Sequence, residues 1–223
     1  NHKFIRTLTF IILVSYTVIL SMGNGYTCDE SNILSIIDRQ LFGEAHLYQK
    51  SPIDPEGFVS TLSAIAHTCI GFSCGKWIIQ SHQTENKVLR LFLTGFILMS
   101  IGYLLADALP LNKRIWSPTF VLVTCGAASM SLATLKYYID IRNKQKWCRF
   151  FIIFGLNPLF LYLLSEVLAI MMGSTGWKAA AYAAIHSGIT DTYLASAVYA
   201  LVFTLFLGCI GYPLYLKKIY IKL

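Results

Sequence analysis

The chain has no phosphate-binding loop, no Gly-x-Ser-x-Gly elbow, no His-Glu-x-x-His and no dinucleotide fingerprint. The common signatures of soluble catalytic folds are therefore missing. Low-complexity tracts, a soluble domain and a clear internal repeat are missing too. The cysteines are scattered: Cys69, Cys74, Cys125 and Cys209 fall in apolar runs, Cys148 in a basic connector and Cys28 in a polar loop. No pair has zinc-ligand company, so neither a structural disulfide nor a metal site is expected. Acidic residues are few, 11 against 18 basic, for a net charge of +7. The basic excess is spread over short segments beside apolar runs. That distribution excludes a nucleic-acid face and fits membrane topology and contact with anionic lipid.

What the chain does have is long apolar runs. They cover roughly 7–22, 57–75, 91–109, 120–139, 150–172 and 193–216. Each is close to the length that crosses ~30 Å of hydrocarbon as a helix. The expected fold is an all-α integral membrane protein with a single domain over 1–223. It is a bundle of about six transmembrane helices plus an amphipathic helix on the outer face. Thirteen basic residues fall on one side of these runs and five on the other. The first set includes Lys3, Arg6, Lys76, Lys87, Arg90, Lys136 and Lys222; the second is Arg39, Lys50, Lys113, Arg114 and Lys178. The positive-inside rule then places both termini in the cytoplasm. No cleavage site follows 7–22, so it reads as a retained span. Asn1 is not an initiator Met, and the chain is expected to be part of a longer protein.

The outer loop 23–56 is expected to contain an interfacial helix. Ile33, Leu34, Ile37 and Leu41 form its apolar stripe, with Asp38 and Arg39 off it. Ser31 is the expected N-cap and Gly43 the stop. The helix reads either as lying on the outer leaflet or as a lid over a site there. Asp54, Pro55 and Glu56 read as N-cap, first position and first turn of the second span. The alternative is a pair of carboxylates at a pocket mouth that binds or deprotonates an amine or hydroxyl. Gly71 to Gly75 is a small-xxx-small pattern for close helix packing. Residues 173–191 form an outer loop rich in small residues, with His186.

Ionisable groups at membrane depth cost about 2.5–3.5 kcal/mol on insertion scales and need a reason. His67 lies near mid-span, Asp107 at an outer interface and Glu166 in the outer half of the fifth run, with Tyr162 at i−4. A carboxylate at Glu166 must be paired, protonated or facing a wet cavity. Asn157-Pro158 frees a carbonyl and is expected to kink that span.

Six strings go beyond composition: Ile37-Asp38-Arg39 through Phe42-Gly43 to His46-Leu47-Tyr48; Asp54-Pro55-Glu56-Gly57; Gly71 to Gly75-Lys76; Pro110-Leu111-Asn112-Lys113 to Trp116; Gly155-Leu156-Asn157 to Glu166-Val167; and Tyr215-Leu216-Lys217-Lys218-Ile219. In this order and spacing they resemble the C-terminal half of the heparan-alpha-glucosaminide N-acetyltransferase family and its bacterial relatives, over roughly 32–223. The resemblance implies a multi-span acyltransferase. Such an enzyme takes an acetyl or other acyl group from cytoplasmic acyl-coenzyme A, with no metal, and passes it to a sugar amine or hydroxyl on the outer side. It also implies a catalytic histidine in an N-terminal half that this chain lacks; His46, His67 and His186 do not match that motif. The partners expected are the lipid bilayer, a sugar or glycan acceptor and that N-terminal half, with no nucleic acid.

The candidate site residues follow from these readings. Asp54, Glu56 and Glu166 are assigned supporting catalytic roles. Asp38, Arg39, His46, Asn157 and Lys113 are assigned to the acceptor, and Lys76 and Arg90 to the polyanionic coenzyme. Topology charge alone also explains those last two. Loop 23–56 has no Asn-x-Ser/Thr sequon, which together with the missing disulfides fits a bacterial inner membrane. Two other readings stand beside the enzyme. A permease for amino sugars would use the polar groups inside spans and the Asn157-Pro158 break. A passive scaffold would have to tolerate Glu166 without using it.

Overall fold

A computed structural model describes residues 2–48, 51–79 and 85–221; Lys50 and Lys222, both counted in the charge sorting, lie outside these described residues. Every regular element among them is a helix. Five helices are long and apolar enough to cross a membrane, and a bent pair makes up to six. The chain divides into two compact units, Asn1–Asn143 and Lys144–Leu223.

The first unit contains α1 (His2–Met22), α2 (Ile33–Phe42), α3 (Ser60–Ile79), α4 (Glu85–Leu104) and α5 (Pro118–Lys136). Its packing is that of a lipid-facing bundle, with large side chains such as Phe10 and Phe96 turned outward and small or polar ones turned in. Ser63 and Thr119 are both fully buried, and Ala66 with them. Without a hydrophobic drive between helices in lipid, small residues set how closely the backbones approach. The closest approach is α4 against α5. A Cβ on Gly126 would stand 2.6 Å from the Gly95 carbonyl oxygen, and one on Gly95 2.7 Å from the Gly126 oxygen. Gly71 and Gly75, which carry the small-xxx-small pattern, face open space instead. Spacing alone had selected the wrong pair, because it does not say which face meets a neighbour.

Local chemistry moves two helix starts. The N-cap of α2 is Asn32, whose Oδ1 accepts the Leu34 N–H at 2.9 Å. Ser31 is diverted, because its hydroxyl and N–H both go to Asp29 Oδ1. Gly43 stops the helix as expected, at φ 78°. Helix α3 begins at Ser60 and not at Pro55. Asp54 instead accepts the Glu56 N–H at 2.9 Å and the Tyr48 N–H at 3.0 Å, which closes a loop turn. Helix α5 starts on Ser117, whose Oγ accepts the Phe120 N–H at 3.3 Å, with Pro118 next. It runs on into a π turn, Tyr137–Ile141.

The second unit contains α6 (Cys148–Leu156), α7 (Pro158–Ser174), α8 (Trp177–His186) and α9 (Thr192–Leu216). The kink expected at Asn157-Pro158 is an 81° bend between α6 and α7. The side chain of Asn157 is buried and fully used. Its Nδ2 donates to the Ile219 carbonyl at 2.9 Å, and its Oδ1 accepts the Ile221 N–H at 2.7 Å. The small-residue stretch 173–191 contains α8, since its alanines favour helix where the sequence reads as loop.

Candidate functional site

The polar groups of the first unit gather at the end where α1 finishes and α3 begins. A buried cluster of Tyr16, Leu20, Leu34, Ile53, Val59 and Ile115 anchors this end. It draws on α1, α2, the loop before α3 and the α4–α5 turn, so it fixes their side chains relative to one another. The inward face of α2 keeps Leu34, Ile33 and Ile37 of the apolar stripe and adds two polar residues to them. Leu34, Ser35 and Asp38 are buried, while Leu41 is 57% exposed.

Asp38 is 1% exposed. Its Oδ1 accepts the Phe58 N–H at 2.9 Å, and its Oδ2 has no partner. Gly57 makes this possible, because a Cβ there would reach to 2.2 Å of Oδ2. Asp38 therefore supplies from α2 an acceptor for the turn that leads into α3. Burial holds its carboxyl above the ordinary aspartate range; the Phe58 hydrogen bond works against this, and the nearby Asp54 carboxylate adds to it. Ser35 Oγ and Ser63 Oγ, both fully buried, also lack partners, as does the hydroxyl of Tyr26. Buried polar atoms are normally paired, so several orphans in one region mark a place for water or a polar ligand.

The α4–α5 turn contributes the second feature. Trp116 adopts φ +50°, a left-handed backbone that a bulky residue rarely takes. The hydroxyl of Tyr16 donates to the preceding carbonyl, that of Ile115. On the other side Ser117 Oγ accepts the Asn112 N–H at 3.0 Å and lies 3.0 Å from Thr119 Oγ1, which donates to the Leu109 carbonyl. The strain at Trp116 is thus held by both flanks. Its ring lies 5.8 Å from that of His67 and 5.5 Å from that of Phe120. Trp116 Nε1 and His67 Nδ1 have no partner.

The structure sorts the residues singled out by sequence. Asp38 and Asp54 come within electrostatic reach of each other. Glu56 is exposed. Arg39 is an ion-pair bracket, 3.0 Å from Glu30 and 4.0 Å from Glu44. His46 Nδ1 lies 2.9 Å from the Phe42 carbonyl at the end of α2. Lys113 is an exposed turn residue. At the opposite end of the unit, Lys76 rests its ammonium 5.9 Å over the Phe72 ring and Arg90 is exposed. Neither lines the 390 Å³ cavity there, which is formed by Glu85, Phe92, Thr134, Tyr137, Tyr138 and their neighbours. In the second unit Asn157 is committed to backbone, and Glu166 is exposed on α7. No group of three or more His, Cys, Asp or Glu among the described residues is placed to hold a metal.

Sequence reasoning passed over Tyr16, Ser35 and Ser63, and used Trp116 only as the end of a matched string. A signal existed for one helix: Ser60, Ser63 and His67 recur at i, i+3, i+7 on α3, and the first two are buried.

No protein-family model matches the chain. It is similar to heparan-alpha-glucosaminide N-acetyltransferase of Mus musculus, at 26% identity over 204 residues, 84% of this chain and 30% of the relative. The human protein of the same name is 27% identical over 204 residues, 84% of this chain and 29% of the relative. The chain thus spans about 30% of the length of the curated relatives it matches.

Proposed function

We propose that this chain forms part of a membrane acetyltransferase that moves an acetyl group from acyl-coenzyme A to an amine or hydroxyl of a sugar. The observation that carries the reading is the similarity to two N-acetyltransferases over 84% of the chain. In the transfer, the acceptor nitrogen or oxygen bonds to the thioester carbonyl carbon. The carbon–sulfur bond breaks, coenzyme A leaves as the thiol, and the acceptor proton must be taken up. Asp38 is the group assigned to that proton. It is buried beside unpaired hydroxyls, has a free oxygen, and titrates above the usual aspartate range, where a base gains strength. Asp54 sits beside it and is assigned to raising its basicity. Glu56 and Lys113, exposed at the same end, are assigned to the arriving sugar. The basic opposite end, with Lys76 and Arg90, is assigned to the coenzyme and so to the cytoplasm, in a bacterial inner membrane.

The test uses membranes carrying the full-length protein, labelled acetyl-coenzyme A and a panel of amino sugars. Label on a sugar, reduced about 10²-fold or more in Asp38→Asn, is the expected result. Unchanged transfer in that variant overturns the assignment of Asp38. No label on any sugar, together with sugar uptake by vesicles, establishes a permease. The 81° break at Asn157 favours that second reading, since broken helices border substrate sites in transporters. The exposed setting of Glu166 removes one argument against a passive scaffold, and the buried Asp38 supplies another in its place.

A further inference from the structure

The second unit contains two adjoining cavities, one almost wholly apolar and one that adds Lys178, Tyr182 and Ser196 to a mainly apolar lining. One, of about 510 Å³, lies among α7, α8 and α9. Met172, Ala181, Ile185, Val202, Phe203 and Phe206 are among its walls, and no charged side chain lines it. The other, of about 430 Å³, is bordered by Gly173, Lys178, Tyr182 and Ser196. Tyr199 lines both. Helix α8 explains the difference. Trp177, Ala181 and Ile185, at i, i+4, i+8, face the first cavity, while Lys178 and Tyr182, at i, i+4, face the second, which has the more polar border. Both volumes fall in the ~300–1,000 Å³ range of ligand sites.

Depth orders the two cavities along α9. Ser196 and Tyr199, near its start at Thr192, border the second cavity, and Val202 to Phe206 continue the first one deeper into the helix. From Ser196 to Phe206 is about 15 Å at the helical rise. Trp177, at the start of α8, and Tyr193, at the start of α9, are 70% and 86% exposed, as aromatic residues are at the level of lipid headgroups. Lys178 forms no ion pair among the described residues, and no acidic residue lines either cavity. A ligand that fits this order has an anionic head at the membrane surface and a hydrocarbon tail running toward the middle.

We infer that the paired cavities hold one anionic phospholipid, with an acyl chain in the apolar cavity and the phosphate on Lys178. The Ser196 and Tyr199 hydroxyls border the same headgroup position. The site is built from residues of the second unit alone and does not depend on acetyl transfer.

The test extracts the full-length protein in mild detergent from vesicles of mixed phosphatidylglycerol and phosphatidylcholine. Native mass spectrometry then counts the lipids retained. Wild type is expected to retain phosphatidylglycerol in preference to phosphatidylcholine. Lys178→Gln, an exposed change that disturbs no packing, should cut that preference about fivefold. Ala181→Trp should fill the apolar cavity and abolish retention of either lipid; Val202→Trp, on another helix, serves as the check against misfolding. Equal retention of the two lipids by wild type, or unchanged retention in both tryptophan variants, overturns the site. So does a dimer mass that replaces the lipid, because a second copy would then be the occupant.

Discussion

At the scale of residues, Asp38 matters because its two oxygens have different settings. One is bonded to the Phe58 N–H and the other has no partner. Replacing Asp38 by Ala strands a backbone donor, which should cost about 1–3 kcal/mol. Asp38→Asn keeps an acceptor for that donor and should cost less, while removing the group that takes the proton. Thermal unfolding of the two variants in detergent, set beside their transfer rates, separates the roles. A stable Asn variant without activity supports the catalytic assignment; equal loss of stability in both variants makes Asp38 purely structural. The sequence placed Asp38 off the helix stripe because it weighed hydrophobicity alone. Asp38 is turned inward by the Phe58 N–H at the approach to α3, a donor in a segment 20 residues away.

At the scale of elements, the spans were legible and their contacts were not. Hydropathy finds a span because the bilayer imposes one length on every crossing helix. It does not reveal which small residues touch. Gly126→Val should force α4 and α5 apart and destabilise the first unit by about 1–3 kcal/mol, whereas Gly71→Val should be nearly silent. Fluorescence-detected size-exclusion after heating compares the pair directly. Similar losses in both would mean that α4 and α5 do not meet at Gly95 and Gly126. The break at Asn157-Pro158 was legible from proline chemistry, but the use of its amide was not, because the partners lie more than 60 residues downstream. Asn157→Ala leaves the Ile219 carbonyl and the Ile221 N–H unpaired, at about 1–3 kcal/mol. It should expose the C-terminal segment to carboxypeptidase. Protection equal to wild type would show that the amide is dispensable.

At the scale of the whole molecule, two aspartates give stability opposite slopes with pH. The Asp38 carboxyl titrates higher folded than unfolded, so ionising it costs stability, which falls as pH rises from the ordinary aspartate range through its folded pKa. Asp29 is held low by the Ser31 hydroxyl and N–H, so its contribution is present above the ordinary range and lost as pH falls through its folded pKa. Asp38→Asn should therefore flatten the loss on the rising side and leave the acid side as it was. A melting profile against pH checks this, and an unchanged rising side would remove Asp38 as its cause. The hydrogen bond from Tyr16 to the Ile115 carbonyl spans 99 residues. On a ribosome adding about 5–20 residues per second, the first span waits roughly 5–20 s for its latch to be made. Through that interval a phenol with no fixed partner sits in the newly inserted helix, and α3 enters the bilayer before the helix it packs beside is secured.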